Sequence, residues 1–397
     1  MRAVRRGPQC RALRVLFSCR PLYGHYTPLV GLARTLQNAG HDVRFATAAP
    51  LDGAIRDEGY DVDTVGLSEP EIWEIRLRDL DWSTQIRNPL RQRLVSFGQS
   101  FAAFEVPPRV AGMREVVQRW RPDLLIHETS EFAAPLVGAL EGLPVVNHSF
   151  GPLVEADVMV AAGEAAASHW KTHGLPIPDR GGMYGLLYLD ITPPSLQFPH
   201  IATVPRVQSL RPVPIRSSEV RPAPWLLELG SRPVVTVTFG TVFNDQLELY
   251  RSVIGGLADS EFDVVVALGR APVAASLGPL PHNVQVHEWV SWADLLARST
   301  LVITHGGASS TLGPLSFGLP IVMIPLAADH FTNARMAGPS GAAVVLDAGA
   351  LTPRGVREAV DTAMGESVRR AARRVAHEIS MMPPAEEVVP VLAALIR

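Results

Sequence analysis

The sequence predicts an α/β protein with two doubly wound, Rossmann-like domains that face each other across a cleft. Apolar runs of strand length alternate with longer helical stretches through most of the 397 residues, which is typical of parallel sheets covered by helices. This series occurs twice, and a proline-rich stretch separates the two occurrences. Doubly wound domains bind ligands outside the carboxyl ends of their strands, so we expect a small-molecule site between the domains.

The first half contains five predicted strands with helices between them. The strands are predicted over residues 13–19, 43–47, 62–65, 124–127 and 145–147. The helices are predicted over residues 27–39, 51–59, 106–120 and 132–140. For the first helix, Thr27 is the expected N-cap, Pro28 fits the first turn, and Gly40 is the expected stop. Residues 68–105 interrupt this rhythm with several aromatic residues.

A change in composition marks the boundary between the halves. Six prolines fall between residues 204 and 233, and they exclude a regular helix or a central strand there. The second half has predicted strands at residues 234–239, 264–268, 284–287, 301–304, 321–324 and 343–346. We therefore expect an N-terminal Rossmann-like domain (1–210), a linker (211–232), a C-terminal Rossmann-like domain (233–380), and a terminal helix (381–397) that packs back on the first domain.

Charge and cysteine content exclude several classes of function. With 36 Lys and Arg against 39 Asp and Glu, the net charge of −3 disfavours nucleic acid and anionic membranes as partners. Three prolines interrupt the longest uncharged stretch, residues 301–328, so no membrane span is expected. The chain has two cysteines, and residues 1–12 lack the pattern of a secretory signal. These features predict a soluble, cytoplasmic protein.

The most informative segment is T-H-G-G-A-S-S-T, residues 304–311, which follows a predicted strand and opens a helix. Its two glycines allow the backbone to approach a ligand closely. The free N–H groups and the hydroxyls that follow lie at the positive N-terminal end of the helix. His305 adds a side-chain donor. The segment therefore suits a phosphate or diphosphate, and the alternative is a tight turn with a capped helix and a buried histidine.

Three segments in order carry a family resemblance: H-E-W-V-S-W-A-D-L-L (287–296), T-H-G-G-A-S-S-T-L-G-P-L-S-F-G-L-P (304–320) and P-L-A-A-D-H-F-T-N-A (325–334). This stretch resembles the donor-binding signature of nucleotide-sugar-dependent glycosyltransferases with the GT-B fold, especially bacterial enzymes that decorate macrolides, enediynes and other polyketides. The resemblance implies hexosyl transfer. It also implies that the nucleotide sugar is bound by Thr241, Trp289, Val290, His305, Gly307, Ser309, Ser310, Thr311, Asp329 and His330.

Two residues depart from the pattern of many relatives. His330 stands where a glutamine often follows the aspartate, so contacts to a glucose-type donor are not implied. Gly313 stands where relatives that use ribose-containing donors often place a glutamate, which accepts hydrogen bonds from a vicinal diol. Since deoxyribose has no such diol, we favour a dTDP-sugar over a UDP-sugar.

Polar residues also follow strands of the first half. His25, in G-H-Y-T-P, is expected just before a helix, whose positive end favours the neutral imidazole that a general base requires. The resemblance identifies it with the family's catalytic histidine. Glu128 ends another strand at the same edge and is the expected partner that orients His25. The alternatives are that His25 caps the helix or packs against Tyr26, and that Glu128 is an exposed carboxylate at a helix N-terminus.

The aromatic residues of the first half predict a large apolar acceptor pocket. The predicted lining residues are Trp73, Trp82, Phe97 and Phe101, with His148 at a strand end and further contributions from Phe104, Met159, Trp170, Tyr184 and Tyr188. The alternative for each residue is ordinary packing in the core.

No metal and no other cofactor is expected. Two D-x-D pairs occur, Asp61 with Asp63 and Asp79 with Asp81, but neither lies near the diphosphate turn in sequence. A helix end, His305 and hydroxyls are expected to meet the charge of the diphosphate instead.

Together, these features predict an inverting transferase that moves a sugar to a hydroxyl of an apolar natural product, acting as a monomer or homodimer. Two alternatives share the fold: a nucleotide-sugar epimerase and a non-catalytic helper or binding protein. A Rossmann oxidoreductase is disfavoured because the first strand is followed by R-P-L-Y-G-H rather than a glycine-rich fingerprint.

Overall fold

The computed structural model describes residues 11–79, 89–213, 223–269 and 273–396. The first domain contains a seven-stranded sheet in which every neighbouring pair is parallel, in the order β3-β2-β1-β4-β5-β6-β7. Its strands are β1 (Arg14–Ser18), β2 (Asp42–Thr47), β3 (Asp61–Thr64), β4 (Leu124–Glu128), β5 (Val145–His148), β6 (Tyr188–Asp190) and β7 (Val207–Ser209).

Helices connect these strands and cover the sheet. They are α1 (Tyr23–Asn38), α2 (Leu51–Asp57), α3 (Glu69–Asp79), α4 (Pro89–Val95), α5 (Val106–Trp120), α6 (Ala133–Glu141) and α7 (Ala156–Thr172). A π-helical segment, Ser96–Phe104, joins α4 to α5, and 3-10 turns occur at Asp179–Gly182, Pro194–Leu196 and Pro199–Thr203.

The second domain repeats the design with six parallel strands in the order β10-β9-β8-β11-β12-β13. They are β8 (Val234–Thr238), β9 (Asp263–Ala267), β10 (Val284–His287), β11 (Leu301–Thr304), β12 (Ile321–Met323) and β13 (Ala343–Val345). The helices are α8 (Pro224–Glu228), α9 (Leu247–Leu257), α10 (Trp292–Leu296), α11 (Ala308–Ser316), α12 (His330–Ala337), α13 (Pro353–Met364), α14 (Glu366–Met381) and α15 (Ala385–Ala394). Further 3-10 turns are Ala274–Ser276 and Ala348–Ala350.

This architecture confirms the predicted fold class and corrects several details. Helix α1 begins at Tyr23, with Leu22 as its N-cap, so Thr27 is not the cap and Pro28 lies inside the helix. As a result, His25 sits in the first turn rather than before it. Strands β6 and β7 were not predicted, because their sequences, Y-L-D and V-Q-S, contain no continuous apolar run.

The proline-rich stretch is not wholly irregular. Helix α8 lies within residues 211–232, with Pro224 at its first position, where the missing N–H costs nothing. Leu226 and Leu229 are buried against Val265 and Leu295 of the second domain. The end of this stretch is therefore part of the second domain's core.

The chain crosses between the domains again near residue 382. The backbone N–H of Arg211 donates to the carbonyl of Pro383 over 2.8 Å, and its guanidinium reaches the carbonyl of Met382 at 3.1 Å. Helix α15 then packs on α1, where Val388 and Leu392 join the core that contains Leu29. Among the described helices, none combines the length and apolarity of a membrane span.

Candidate active site

A cavity of about 390 Å³ lies between the domains, where the carboxyl ends of the two sheets meet. Residues from both halves form its wall. The first domain contributes Arg20, Tyr23, His25, Trp73, Arg76, Gln92, Phe97, Phe101 and Phe150, among others. The second contributes Thr241, Trp289, Val290, Trp292, His305, Gly307, Ser309, Ser310, Gly313, Asp329 and His330, among others.

His25, on the wall of the cavity, contacts a buried carboxylate. Glu128 ends β4 and is fully buried, and its Oε1 lies 3.2 Å from Nδ1 of His25. The same carboxylate accepts hydrogen bonds from the backbone N–H groups of Ser130 at 2.6 Å and Arg20 at 3.3 Å. The structure therefore brings the two predicted catalytic residues together, although they are distant in sequence.

Burial alone raises the pKa of Glu128, but His25 and the N–H of Ser130 outweigh it and hold the pKa at about 2. An ionised Glu128 requires a proton on Nδ1 of His25, since both oxygens can only accept. Nε2 of His25 is then the nitrogen left to face a ligand in the cavity. This is the tautomer that a general base needs.

Sequence reasoning did not identify Ser130. Its Oγ lies 2.8 and 2.9 Å from the two oxygens of Glu128 and 3.1 Å from Nδ1 of His25. Because the hydroxyl donates to Glu128, its lone pairs can share the proton of His25. The signal was the position of Ser130 just after a strand end, two residues from a buried glutamate.

On the opposite side, the 304–311 turn is closed by its own hydroxyls. The Oγ1 of Thr304 donates to Oγ of Ser310 over 2.8 Å, and Ser310 donates in turn to the carbonyl of Gly307 over 3.0 Å. Helix α11 starts immediately after Gly307. Ser309, the second residue of α11, lies opposite Thr27 of α1, and their hydroxyl oxygens are 3.0 Å apart across the cleft. The free N–H groups of a helix N-terminus thus face the cavity close to α1.

His305 fits into a slot that only glycines leave open. A Cβ on Gly240 would lie 2.7 Å from Nε2 of His305, and a Cβ on Gly307 would lie 2.6 Å from the same atom. Burial lowers the pKa of His305 to about 3, with a smaller contribution from His330, whose ring centroid is 4.4 Å away. His305 is therefore a neutral N–H donor, so before a ligand binds it adds no positive charge to the turn.

His330 is also neutral, because burial lowers its pKa to about 3. Its Nδ1 accepts the backbone N–H of Ala327 over 3.1 Å, so Nε2 carries the proton. The neighbouring Asp329 accepts from Nδ2 of Asn333 over 2.9 Å. A glutamine at position 330 would offer both a donor and an acceptor, whereas His330 has only a donor left.

The end of the cavity that is predicted to bind the nucleotide is aromatic. Trp289 is 58% exposed, and its ring centroid lies 5.3 Å from that of Tyr23 in the other domain. A Cβ on Gly313 would come within 2.8 Å of Nε1 of Trp292. The indole of Trp292 therefore occupies the space that a side chain at position 313 would need.

The side of the cavity that is predicted to bind the acceptor combines aromatic rings with buried charge. Trp73, Phe97 and Phe101 line the cavity as predicted from their position, while Trp82 lies outside the described residues. The guanidinium of Arg20 stacks 3.9 Å from the centre of Phe101 and makes a two-point ion pair with Glu105 at 2.7 and 3.0 Å. Composition did not reveal Arg20 or Arg76, because an arginine usually faces solvent.

Comparison with known proteins is consistent with this geometry. The domain described as "Erythromycin biosynthesis protein CIII-like, N-terminal domain" matches residues 34–240, and the corresponding C-terminal domain matches residues 251–395. The chain belongs to this CIII-like family. It is a glycosyltransferase of the class that modifies antibiotics and other natural products.

Relatives of the CIII-like chain match along nearly their whole length. It is 30% identical to the L-demethylnoviosyl transferase of Streptomyces niveus, covering 96% of this chain and 98% of that one. It is also 30% identical to the elloramycin glycosyltransferase ElmGT of Streptomyces olivaceus, over 95% of this chain and 96% of that one. The crystal structure of the glycosyltransferase SnogD from Streptomyces nogalater is 29% identical, with a TM-score of 0.77 over 98% of this chain and 100% of that one. The GT-B fold expected from the resemblance is thereby confirmed.

Several predicted pocket residues of this CIII-like protein lie elsewhere. His148 is fully buried, with Nδ1 2.6 Å from the carbonyl of Ser149, and it does not line the cavity. Thr311 is buried in α11 behind the turn. Phe104 does not reach the cavity, and four other predicted residues pack in the first domain's core: Met159, Trp170, Tyr184 and Tyr188. The composition of an aromatic segment does not distinguish side chains that face the helix layer from those that face the cleft.

The first D-x-D pair does not reach the cavity. Asp61 and Asp63 lie on the edge strand β3, where both bond to Arg44 at 2.9 and 3.2 Å. Asp81 lies outside the described residues. Within the described part of the chain, no three His, Cys, Asp or Glu side chains are grouped as they would be around a metal ion.

Proposed function

We propose that this chain transfers a sugar or deoxysugar from a dTDP-sugar to a hydroxyl of an apolar natural product, with inversion at the anomeric carbon. The observation that carries the proposal is the opposition of His25 and Glu128 to the Thr304–Ser310 turn across one cavity. A base on one wall and an anion site on the other suit direct displacement. The relatives' names agree in class, as in "Tylactone mycaminosyltransferase" of Streptomyces fradiae.

The proposed mechanism follows from the two walls. Nε2 of His25 removes the acceptor proton, and Glu128 stabilises the imidazolium that forms. The acceptor oxygen attacks the anomeric carbon from the face opposite the departing diphosphate. Negative charge grows on the leaving phosphate and is met by the N-terminus of α11, the hydroxyls of Ser309 and Ser310, and the N–H of His305. In this proposal, these groups remove the need for a metal.

Choice of the nucleotide depends on position 313. With the indole of Trp292 against Gly313, position 313 offers no carboxylate to accept hydrogen bonds from a ribose diol. This supports a deoxyribose nucleotide. Two glycosyltransferases of similar fold have crystal structures with a bound thymidine nucleotide: VinC "in complex with DTDP" and SsfS6 "complexed with thymidine diphosphate". Each is 24% identical to this chain.

A donor panel tests the proposal directly. The protein is mixed with dTDP- and UDP-sugars, and its melting temperature is measured, since a ligand at 100 times its dissociation constant adds about 2.7 kcal/mol to the stability. The stabilising donors are then incubated with a panel of hydroxylated polyketides, and the anomeric configuration of the product is read by NMR. Stabilisation by dTDP-sugars and an inverted glycoside are expected. A retained configuration contradicts the mechanism, and conversion of the donor without acceptor indicates an epimerase.

A paired substitution tests the nucleotide preference. Gly313→Glu alone is expected to weaken binding of both dTDP and UDP, because the new side chain meets Trp292. Combined with Trp292→Ala, the carboxylate gains room, and the affinity for UDP relative to dTDP is expected to rise about tenfold, the effect of one or two charge-assisted hydrogen bonds. Calorimetric titration measures both constants. An unchanged ratio in the double variant would show that position 313 does not select the nucleotide.

A further inference from the structure

Gln92 has a buried side-chain amide in which the oxygen is hydrogen-bonded and the nitrogen, among the described residues, is not. Its side chain is 1% exposed, lies on α4 and lines the cavity between the domains. Oε1 accepts the backbone N–H of Ala328 in the second domain over 3.0 Å. Because that N–H can only donate, the oxygen must face Ala328, and the orientation of the amide is determined.

The other end of the amide has no such contact. Nε2 is buried and has no hydrogen-bond partner among the described residues. Leaving a buried donor unpaired is costly, and such groups in native proteins usually have a partner or mark a binding site. The two N–H bonds of Gln92 are therefore available to a ligand oxygen.

The contact with Ala328 places this donor beside the sugar end of the site. Ala328 has a φ of 52°, a left-handed conformation that is unfavourable for alanine, and it directly precedes Asp329 and His330. The bond from Ala328 to Gln92 supports that conformation. A residue of the first domain thus holds the loop that carries two proposed sugar contacts.

A second attachment fixes α4 against the same region. Arg93 pairs with Glu155 at 2.8 Å, and Glu155 accepts from Oγ1 of Thr332 at 2.7 Å and from Arg335 at 3.0 Å. Thr332 and Arg335 belong to α12, which begins at His330. Helix α4 is therefore bound to the donor loop and to the helix after it.

On the basis of the proposed function, we propose that Nε2 of Gln92 donates a hydrogen bond to an oxygen of the transferred sugar. In this proposal the first domain contributes a residue to the sugar-binding site of the second domain. The site therefore has all its contacts only when the two domains are packed against each other. The nucleotide and diphosphate contact other residues, so Gln92 is expected to affect sugar recognition without affecting dTDP itself.

Equilibrium binding of dTDP and dTDP-glucose tests this in the full chain. Gln92→Met removes both polar ends, whereas Gln92→Glu keeps an oxygen for Ala328 and loses the donor. Gln37→Glu, on the exposed surface of α1, is the matched control. Both Gln92 variants are expected to lose about three- to tenfold in affinity for dTDP-glucose relative to dTDP, the effect of one hydrogen bond, and the control is expected to lose none.

The ratio between the two ligands cancels any general effect of charge or folding. Equal weakening of dTDP and dTDP-glucose would overturn the proposal, and so would a normal ratio in Gln92→Glu, which would limit Gln92 to anchoring Ala328. Failure of the wild-type protein to bind any dTDP-sugar would instead count against the proposed function. Normal wild-type binding with unchanged Gln92 variants would count against Gln92 alone.

Discussion

The two walls of the cavity use histidine in opposite ways. On the first domain, Nδ1 of His25 faces the buried, ionised carboxylate of Glu128 at 3.2 Å. On the second, His305 packs between two glycines and against His330, and burial lowers its pKa to about 3. A carboxylate prepares one imidazole to gain a proton, whereas the neutral surroundings of the other keep it an N–H donor. The surroundings, rather than the residue type, assign the role.

The largest effect is expected from breaking the charged side of this comparison. Glu128→Gln keeps the shape of the side chain but removes the negative charge that orients Nδ1 of His25 and stabilises its protonated form. By analogy with other histidine–carboxylate pairs, kcat is expected to fall about 10²- to 10⁴-fold, with the affinity for dTDP unchanged. Steady-state kinetics and titration with dTDP measure the two quantities. A kcat within a few-fold of wild type would show that Glu128 does not support His25.

The neutral side is tested by closing the slot around His305. Gly240→Ala places a Cβ 2.7 Å from the imidazole and should displace it, which is expected to weaken dTDP binding about tenfold through loss of one donor to a charged oxygen. Gly278→Ala is the matched control, because Gly278 has the same φ of 77° but no atom within 4 Å of the added Cβ. Both variants bear the backbone strain, and only Gly240→Ala contacts His305. Equal dTDP affinity in the two variants would contradict the role of the slot.

The smallest effect concerns stability against acid. Burial lowers the pKa of His148 from 6.5 to about 4, so the unfolded chain takes up this proton first as the pH falls. The contribution of neutral His148 to the free energy of unfolding is fully present above pH 6.5 and is lost progressively as the pH falls toward 4. Between pH 7 and pH 5, the free energy of unfolding of His148→Gln is expected to fall by about 1–2 kcal/mol less than that of the wild type, as measured by urea unfolding.

Exposed His173 provides the control for this pH dependence. His173→Gln should leave the slope of stability against pH as in the wild type. If His148→Gln and His173→Gln change that slope equally, the acid sensitivity does not arise from burial of His148.

Much of the donor side was predictable because its residues are consecutive. The stretch from Thr304 to Ser310 combines a strand end, a glycine turn and a helix start, and each of these has a local sequence pattern. The family resemblance identified His25, and Glu128 was then predictable because polar residues at the ends of adjacent parallel strands meet at one edge. Both β1 and β4 end at that edge as neighbours.

The rest depends on tertiary contacts that have no local pattern. Gln92 and Ala328 are far apart in sequence and meet only because α4 contacts the second domain. The aromatic residues Trp170 and Tyr184 are of the same kind as Trp73 and Phe97, yet only Trp73 and Phe97 line the cavity. The neutral state of His305 likewise follows from the glycines and the histidine packed around it.

The central claim, that His25 is the base opposite a separate anion site, is tested most directly by His25→Ala. The turnover of a dTDP-sugar with an accepted aglycone and the dissociation constant of dTDP are measured on the same preparation. The account predicts a fall in kcat of about 10²- to 10⁴-fold with an unchanged dissociation constant. Full turnover in His25→Ala would contradict it.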